Sequence, residues 1–271
     1  MRKGVPRPAR FVAGGCLAAW LSGCAGVPRS AGPPLVSPSR FRQTATLPAG
    51  PIRTVVIDAG HGGHDPGTSH YGLKEKVLAL DVAKRLRTAL QAEGFSIVMT
   101  RETDQFIPLS GRPAVANRLD ADLFVSIHIN ANRDRHVAGA EIYYPRVSVV
   151  AASAPWPPSV SSAEIGESST TIKQVLWDLV LRRTRTQSRR LASAICRSMR
   201  DELGTVCRLT KPARFVVLRE AWMPAVLVEV GYVTNRIEAK QLGSEAYRAA
   251  AAEAIARGIL AYARELAVEP I

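Results

Sequence analysis

Short apolar runs alternate with longer amphipathic stretches over most of the chain. Continuous apolar runs predict buried strands, and apolar residues at every third or fourth position predict helices packed on them. The predicted strands are residues 54–59, 95–100, 122–129, 140–144, 215–218 and 225–230. The predicted helices are residues 73–93, 114–119, 172–181, 187–203 and 245–266. This alternation is typical of an α/β protein.

The pattern predicts one α/β domain, residues 51–271, with a twisted, mostly parallel sheet of five or six strands and helices on both faces. The alternation of predicted strands and helices is interrupted at residues 145–170, which are rich in proline and serine, and we interpret them as an irregular insertion. In the long helix predicted at 73–93, the apolar positions expected to face the core are Leu73, Val77, Leu80, Leu86 and Leu90.

The first 24 residues have the composition of a targeting segment. Basic residues without any acid precede a short apolar stretch at 11–21, which is too short to span a bilayer. The stretch ends in Leu-Ser-Gly-Cys, which resembles the lipobox of bacterial lipoproteins. Residues 1–24 are therefore predicted to be a lipoprotein-type signal peptide that leaves Cys24 lipidated, although a plain secretory signal remains the alternative. Residues 25–50, rich in proline and serine, are predicted to be a linker.

The net charge of the chain bears on the kind of partner that it could bind. The formal net charge is +13, which suits a polyanionic partner such as nucleic acid. The sequence contains no nucleic-acid-binding motif or basic stripe interleaved with aromatic residues, and a secretion signal also argues against that partner. We therefore expect no nucleic-acid binding.

Cys196 and Cys207 could pair in an oxidising compartment or remain free thiols, and their spacing does not decide between the two.

Four residues at strand ends or a helix start are candidates for a chemical site. His61 follows the first strand in a glycine-rich turn, Glu75 lies in the first turn of the helix predicted at 73–93, and His128 lies at the end of another strand. Glu229 stands inside an apolar run, where a carboxylate is costly unless it is paired, bound to metal or catalytic. Two histidines and a glutamate are a usual ligand set for catalytic zinc, and a further carboxylate can serve as general base.

Six motifs follow one another along the chain. They are VIDAGHGG at 56–63, EK at 75–76, TRETD at 100–104, SIHINA at 126–131, FVVLR at 215–219 and PAVLVEVG at 224–231. In this order they resemble the zinc-dependent N-acetylmuramoyl-L-alanine amidases of the type 3 class, which cleave peptidoglycan. The resemblance extends from about residue 53 to residue 263, nearly the whole predicted domain.

The resemblance implies hydrolysis of the amide bond between the N-acetylmuramoyl lactyl group and L-alanine of the peptidoglycan stem peptide, in wall remodelling or daughter-cell separation. It implies that one zinc ion is bound by His61, Glu75 and His128, and that Glu229 is the catalytic acid/base. Asn130 and Arg101 match family positions, and we interpret them as supporting or packing residues near the site. The histidines that fall outside the ligand positions are His64, His70 and His136.

Three other functions remain as alternatives. A zinc peptidase that cuts within the stem peptide would use the same ligands. A wall-binding lipoprotein that had lost catalysis would be expected to lack one of the ligands, and none is missing. A nucleic-acid-binding module is the alternative that the charge suggests.

The expected location and regulation of the protein rest only on the two resemblances, to the lipobox and to the amidase family. Because Ala25 rather than an aspartate follows Cys24, the lipoprotein sorting rule favours a periplasmic protein anchored to the outer membrane of a Gram-negative bacterium. Some members of the family hold an autoinhibitory helix in the loop that corresponds to residues 145–170. We expect no stable helix there, although Glu164 or Glu167 could reach the metal, so the need for a protein activator stays open.

Overall fold

The computed structural model describes residues 52–146 and 170–268. Within these ranges, six strands form one sheet and two short strands form a separate hairpin. The strands are β1 (Thr54–Ala59), β2 (Ser69–His70), β3 (Leu73–Lys74), β4 (Ser96–Met99), β5 (Leu123–Asn130), β6 (Ala140–Pro145), β7 (Cys207–Ala213) and β8 (Ala225–Tyr232). The helices are α1 (Glu75–Ala92), α2 (Gly111–Arg118), α3 (Thr170–Leu203), α4 (Val216–Arg219), α5 (Arg236–Gly243) and α6 (Glu245–Val268).

The strand order of the large sheet is β4-β1-β5-β8-β6-β7. All neighbours run parallel except β6 and β8, which are antiparallel. The prediction of a mostly parallel sheet is therefore confirmed. Because β1, β5 and β8 run in the same direction, their carboxyl ends meet at one edge, and the antiparallel β6 begins at that same edge.

The sheet separates two apolar cores, because alternate residues of a strand face opposite sides. Val55 and Ile57 of β1 face the larger core, to which α1, α3 and α6 contribute. Val56 faces a smaller core, covered by α2 and α4. Burial on both faces explains why the central strands are almost continuously apolar.

Residues 215–218 are not a strand, contrary to the prediction. Val216–Arg219 form the short helix α4, and the last place in the sheet belongs to β7, which the sequence analysis missed. A short apolar run without a clear period does not distinguish a strand from a helix. Val217 and Leu218 are buried on one side only, against the smaller core, and one helical turn satisfies that requirement.

The helix predicted at 73–93 begins later than expected. Leu73 and Lys74 pair with β2 as β3, and the helix starts at Glu75. Val77 was wrongly assigned to the core, since it is 57% exposed. The buried face of α1 instead follows Leu78, Ala79, Val82, Ala83, Leu86 and Leu90.

Two further differences concern helices. The interruption predicted between 181 and 187 is absent, because α3 is continuous from Thr170 to Leu203. Helix α5 was not predicted, although Asn235 provides a start signal. Its side chain accepts hydrogen bonds from the backbone N–H groups of Ile237 and Glu238, as an N-cap residue does.

Cys196 of α3 and Cys207 of β7 form a disulfide, with Cα atoms 5.5 Å apart. It joins the end of α3 to the edge strand of the sheet. The predicted signal peptide with Cys24, the linker at 25–50 and Glu164 and Glu167 of the insertion lie outside the described residues. Among the described helices, none is both long enough and apolar enough to cross a membrane.

Candidate active site

The three predicted metal ligands come together at the carboxyl edge of the sheet. His61 lies just after β1, Glu75 is the first residue of α1, and His128 belongs to β5. Oε1 of Glu75 is 3.1 Å from Nε2 of His61 and 2.9 Å from Nδ1 of His128. One potential ligand atom from each residue lies within 4.8 Å of the others. We call these three residues the ligand cluster.

The ligand cluster has the donors and the spacing of a zinc site. Zinc–nitrogen and zinc–oxygen bonds of about 2.0–2.1 Å place tetrahedral ligand atoms about 3.3 Å apart. The distances from Oε1 of Glu75 to the two imidazole nitrogens are close to that value. Two histidines and one carboxylate also suit zinc chemically, and three protein ligands are typical of catalytic rather than structural sites.

Two glycines make room for the side chains of the ligand cluster. A Cβ atom at Gly60 would lie 2.4 Å from Cε1 of His128. A Cβ atom at Gly67 would lie 2.6 Å from Oε2 of Glu75 and 2.7 Å from Cδ2 of His61. Gly67 also has a φ of +64°, a conformation that favours glycine. The glycine-rich turn therefore permits the close approach of the three ligands.

Asp65 fixes the orientation of the His61 ring. Its Oδ2 atom lies 2.7 Å from Nδ1 of His61, and its Oδ1 atom accepts a hydrogen bond from the backbone N–H of Gly67. Such carboxylate–histidine pairs set the tautomer and direction of a metal-binding imidazole. Burial opposes protonation of His61, but hydrogen bonds to Glu75 and Asp65 outweigh it and raise the pKa of this imidazole. Asp65 was not among the predicted site residues.

Glu75 is buried and held by donors on both carboxylate oxygens. Oε2 accepts a hydrogen bond from the backbone N–H of Thr68 at 2.9 Å, and Oε1 accepts one from Ile129 at 3.1 Å. Burial pushes the pKa of Glu75 upward, but the hydrogen bonds to His128 and His61 hold it well below its ordinary value. Glu75 is therefore a fixed carboxylate at neutral pH.

Two buried arginines hold the backbone around the ligand cluster. Arg101 donates to the carbonyl oxygens of Ala59, Gly60, Lys76 and Thr103 at 2.7–3.0 Å. It therefore links the turn that carries His61 to the first turn of α1, and it contacts backbone rather than the ligand side chains. Arg101 was among the predicted supporting residues, whereas Arg112 was not.

Arg112 of α2 supports the same turn from the other side. Its guanidinium pairs with Oδ1 of Asp58 at 3.0 Å and donates to the carbonyl oxygens of Ala59 and His61. Asp58 is fully buried and also accepts hydrogen bonds from Thr100 and Ser126. A carboxylate inside an apolar strand was the signal used for Glu229, and the same signal would have identified Asp58.

Glu229 stands beside the ligand cluster on β8. In the register of the sheet, Glu229 lies opposite His128 of β5 on one side and opposite Glu141 of β6 on the other. Its Oε2 atom is buried and forms no hydrogen bond within the described residues. Burial raises the pKa of Glu229 well above its ordinary value, and the charges of Glu75 and Glu141 raise it further. A carboxylate of this kind can accept and release a proton during catalysis.

Glu141 is a buried carboxylate that the sequence analysis missed. It accepts hydrogen bonds from Nζ of Lys211 at 2.7 Å and from the hydroxyl of Tyr143 at 2.5 Å. The side chain of Asn130 donates to it at 3.4 Å, so this predicted supporting residue contacts Glu141 rather than the ligand cluster. Burial pushes the pKa of Glu141 upward, but Lys211 and Tyr143 bring it below its ordinary value. The sequence offered no signal for the contact with Lys211, because β7 itself was not predicted.

The remaining histidines of the described chain lie outside the ligand cluster. The ring of His64 lies 4.1 Å from that of Phe106, and the ring of His70 lies 4.4 Å from that of Tyr71. His136 is exposed on a loop. None of these three histidines belongs to the group of potential ligands found among the described residues.

The fold and the site define an α/β domain with a potential metal centre at its carboxyl edge and a buried glutamate, Glu229, beside it. The family model described as N-acetylmuramoyl-L-alanine amidase, Amidase_3, matches residues 55–261. The amidase AmiA of Escherichia coli K12 is 37% identical over 225 residues, which are 79% of this chain and 77% of AmiA. The chain therefore belongs to the N-acetylmuramoyl-L-alanine amidase family and shares its enzyme class.

Solved structures agree with this assignment. The amidase AmiC2 of Nostoc punctiforme superposes with a TM-score of 0.61 at 34% identity, over 78% of this chain and 97% of AmiC2. The CwlD amidase of Clostridioides difficile, solved in complex with the GerS lipoprotein, superposes with a TM-score of 0.61 at 26% identity. The match covers 78% of this chain and 98% of CwlD. The neighbours are catalytic domains of the same class, which supports the prediction of a single α/β domain.

Proposed function

We propose that this amidase uses one zinc ion, bound by His61, Glu75 and His128, to cleave the bond between the lactyl group of N-acetylmuramic acid and L-alanine in peptidoglycan. The observation that carries the proposal is the convergence of three ligand atoms within 4.8 Å next to Glu229, whose buried Oε2 atom has no hydrogen bond among the described residues. When bound, zinc polarises an amide carbonyl and makes water a stronger nucleophile.

The residues around the ligand cluster have different roles in the proposed reaction. Glu229 takes a proton from the attacking water and delivers it to the departing alanine nitrogen. Its Oε2 atom has no competing hydrogen bond in the described chain, which suits a group that must exchange partners. Asp65 orients His61, and Arg101 positions the turn that carries it. Asn130 acts one step further away, through Glu141.

Zinc analysis combined with digestion of purified sacculi tests the roles proposed for His128 and Glu229. His128→Ala is expected to lower zinc content and activity together, because it removes a ligand. Glu229→Ala is expected to keep zinc and lose turnover by about 10²–10⁴-fold, the usual contribution of a general acid/base. His136→Ala, an exposed loop histidine, is the matched control. Normal activity of the Glu229→Ala variant would contradict the role of Glu229 as the catalytic acid/base.

A zinc peptidase that cuts within the stem peptide is the alternative with the same ligands. The fragments released from sacculi separate the two activities. The amidase leaves glycan strands without attached peptide and releases peptides that begin with L-alanine. Peptides shortened at internal bonds, with alanine still joined to muramic acid, would instead identify the peptidase.

We further propose that the protein acts in the periplasm of a Gram-negative bacterium, held at the outer membrane by lipid on Cys24, in wall remodelling or daughter-cell separation. The lipobox-like segment before Cys24 supports the anchor. The complex of CwlD with the GerS lipoprotein supports a protein as a further binding partner. If the anchor is correct, Cys24→Ala moves the protein from the membrane fraction to the soluble fraction, and unchanged fractionation contradicts it.

A further inference from the structure

A group of polar residues beside Glu229 has no part in the proton transfers described above. Glu141 is the cross-strand neighbour of Glu229, and Lys211 is the neighbour of Tyr143 on the next strand. Glu141 is only 6% exposed, and it binds both Lys211 and Tyr143. The side chain of Lys211 is 41% exposed. Among the described residues its ammonium group is held by Glu141, and the side chain as a whole still has substantial exposure to solvent.

The position of this group relative to Glu229 assigns it to one end of the substrate. Glu229 is flanked by His128 on β5 and by Glu141 on β6. Because the ligand cluster occupies the β5 side, the departing nitrogen, which receives its proton from Glu229, has the β6 side available. The peptide that follows this nitrogen therefore extends over β6 and β7, towards Lys211.

The dimensions agree with an ion pair to the start of that peptide. Neighbouring strands are about 4.8 Å apart, and Lys211 reaches back from β7 to contact Glu141 on β6. Its ammonium thus lies roughly one strand spacing from the strand that carries Glu229. Two residues of extended peptide span at most about 7 Å. An acidic group on the second residue of the leaving peptide is within reach.

We propose that Lys211, fixed by Glu141, binds a free carboxylate of the stem peptide and makes the enzyme selective for it. This inference rests on the proposed function, because it requires the peptide to be the leaving group. Glu141 acts as a positioning residue: it holds the long lysine side chain in one place and so reduces the ordering that substrate binding must impose. An ammonium–carboxylate contact of this type is charge-assisted and favours the anion over a neutral amide.

Two matched substrates provide the test. One is N-acetylmuramoyl-L-alanyl-D-glutamate with a free α-carboxylate, and the other carries an α-carboxamide in its place. The wild-type protein is expected to hydrolyse the carboxylate form with about tenfold higher kcat/KM. Lys211→Met is expected to abolish this preference, whereas Lys211→Arg, which keeps the charge, is expected to retain most of it.

Two further variants guard against indirect effects. Lys84→Met makes the same charge change at an exposed site on α1, nine residues or about 13.5 Å along the helix from Glu75. It should leave the preference unchanged. The double variant Glu141→Gln, Lys211→Met removes the carboxylate that a lone Lys211 substitution would leave unpaired, and it should also lack the preference. Zinc content is measured for every variant.

The outcomes distinguish this inference from the proposed function. If wild-type protein cleaves neither substrate at the lactyl–alanine bond, the proposed function fails. If it cleaves both equally well, or if Lys211→Met keeps the preference, the amidase assignment stands and Lys211 is not a carboxylate-binding residue. Loss of the preference in Lys211→Met, with normal zinc content and recovery in Lys211→Arg, supports the proposal.

Discussion

The two halves of the candidate site are built differently. The ligand side, formed by β1, β5 and α1, carries His61, Glu75 and His128. The base side, formed by β8, β6 and β7, carries Glu229, Glu141 and Lys211. On the ligand side, both oxygens of Glu75 have fixed donors, and Asp65 holds the ring of His61. On the base side, Oε2 of Glu229 is buried without a partner among the described residues.

This contrast follows from what each half has to do. A metal ligand works best when its orientation is fixed before the ion arrives, and hydrogen bonds to its outer atoms supply that orientation. A proton carrier must exchange partners during each turnover, so a permanently satisfied carboxylate would be a poor one. The ligand side therefore has hydrogen bonds that fix Glu75 and His61 from outside, while Oε2 of Glu229 on the base side has none among the described residues.

The largest effect is expected from breaking the buried support of the ligand side. Arg112→Met leaves Asp58, which is fully buried, without its cationic partner and removes the donors to Ala59 and His61. Breaking one partner of a buried ion pair costs about 3–5 kcal/mol of folding free energy. Urea unfolding of the zinc-free protein measures this loss.

Arg87→Met is the matched control for that variant. Arg87 pairs with Glu102 at 3.1 Å on the surface, where an ion pair contributes less than about 1 kcal/mol. If Arg112→Met proves no more destabilising than Arg87→Met, the turn that carries His61 does not depend on its buried arginine, and the contrast between the two halves loses its basis.

A smaller effect is expected when the outer support of one ligand is removed. Asp65→Ala deletes the carboxylate that contacts Nδ1 of His61. Loss of such a partner lowers zinc affinity by about 10–100-fold. Competition with a chelating dye measures the affinity, and circular dichroism checks that the fold is retained.

Glu141→Gln provides the comparison from the base side. Glu141 contacts Asn130, Tyr143 and Lys211 but no member of the ligand cluster. Its substitution should therefore change zinc affinity by no more than about threefold, as expected for a screened charge. Equal losses in Asp65→Ala and Glu141→Gln would show that the two halves are not separate.

The sequence predicted those parts of the fold that depend on local pattern. Strand β1 has the predicted bounds, and the strands predicted at 95–100, 122–129, 140–144 and 225–230 correspond to strands of the sheet. Residues 215–218 were wrongly predicted to be a strand and β7 was not predicted, for opposite reasons. The first is apolar but too short to show a period, while β7 contains Lys211 and Pro212 and becomes a strand through its pairing with β6.

The site could be predicted from the residues alone only where a residue was unusual in its own sequence context. Glu229 met that condition most clearly and His128 in part, whereas His61 and Glu75 were identified together with them through the ordered motifs of the family resemblance; the structure brings these four residues to one edge of the sheet. Asp65 and Arg112 did not meet the condition, because a charged residue in a loop or an exposed-looking helix is common. Their roles depend on contacts with backbone atoms that only the folded chain brings near.

A final prediction concerns how the stability of the base side depends on pH. Burial raises the pKa of Glu229 above its ordinary value, so as pH rises the unfolded chain releases this proton before the folded one does. Between the two pKa values the unfolded state binds fewer protons, and folding stability falls with rising pH. Glu229→Gln removes this dependence. In zinc-free protein, the stability of Glu229→Gln relative to wild type should therefore increase from about pH 4 towards neutrality. A difference that shrinks over this range, measured by urea unfolding, would mean that the folded site stabilises the ionised Glu229, and a constant difference would mean that folding does not change its pKa.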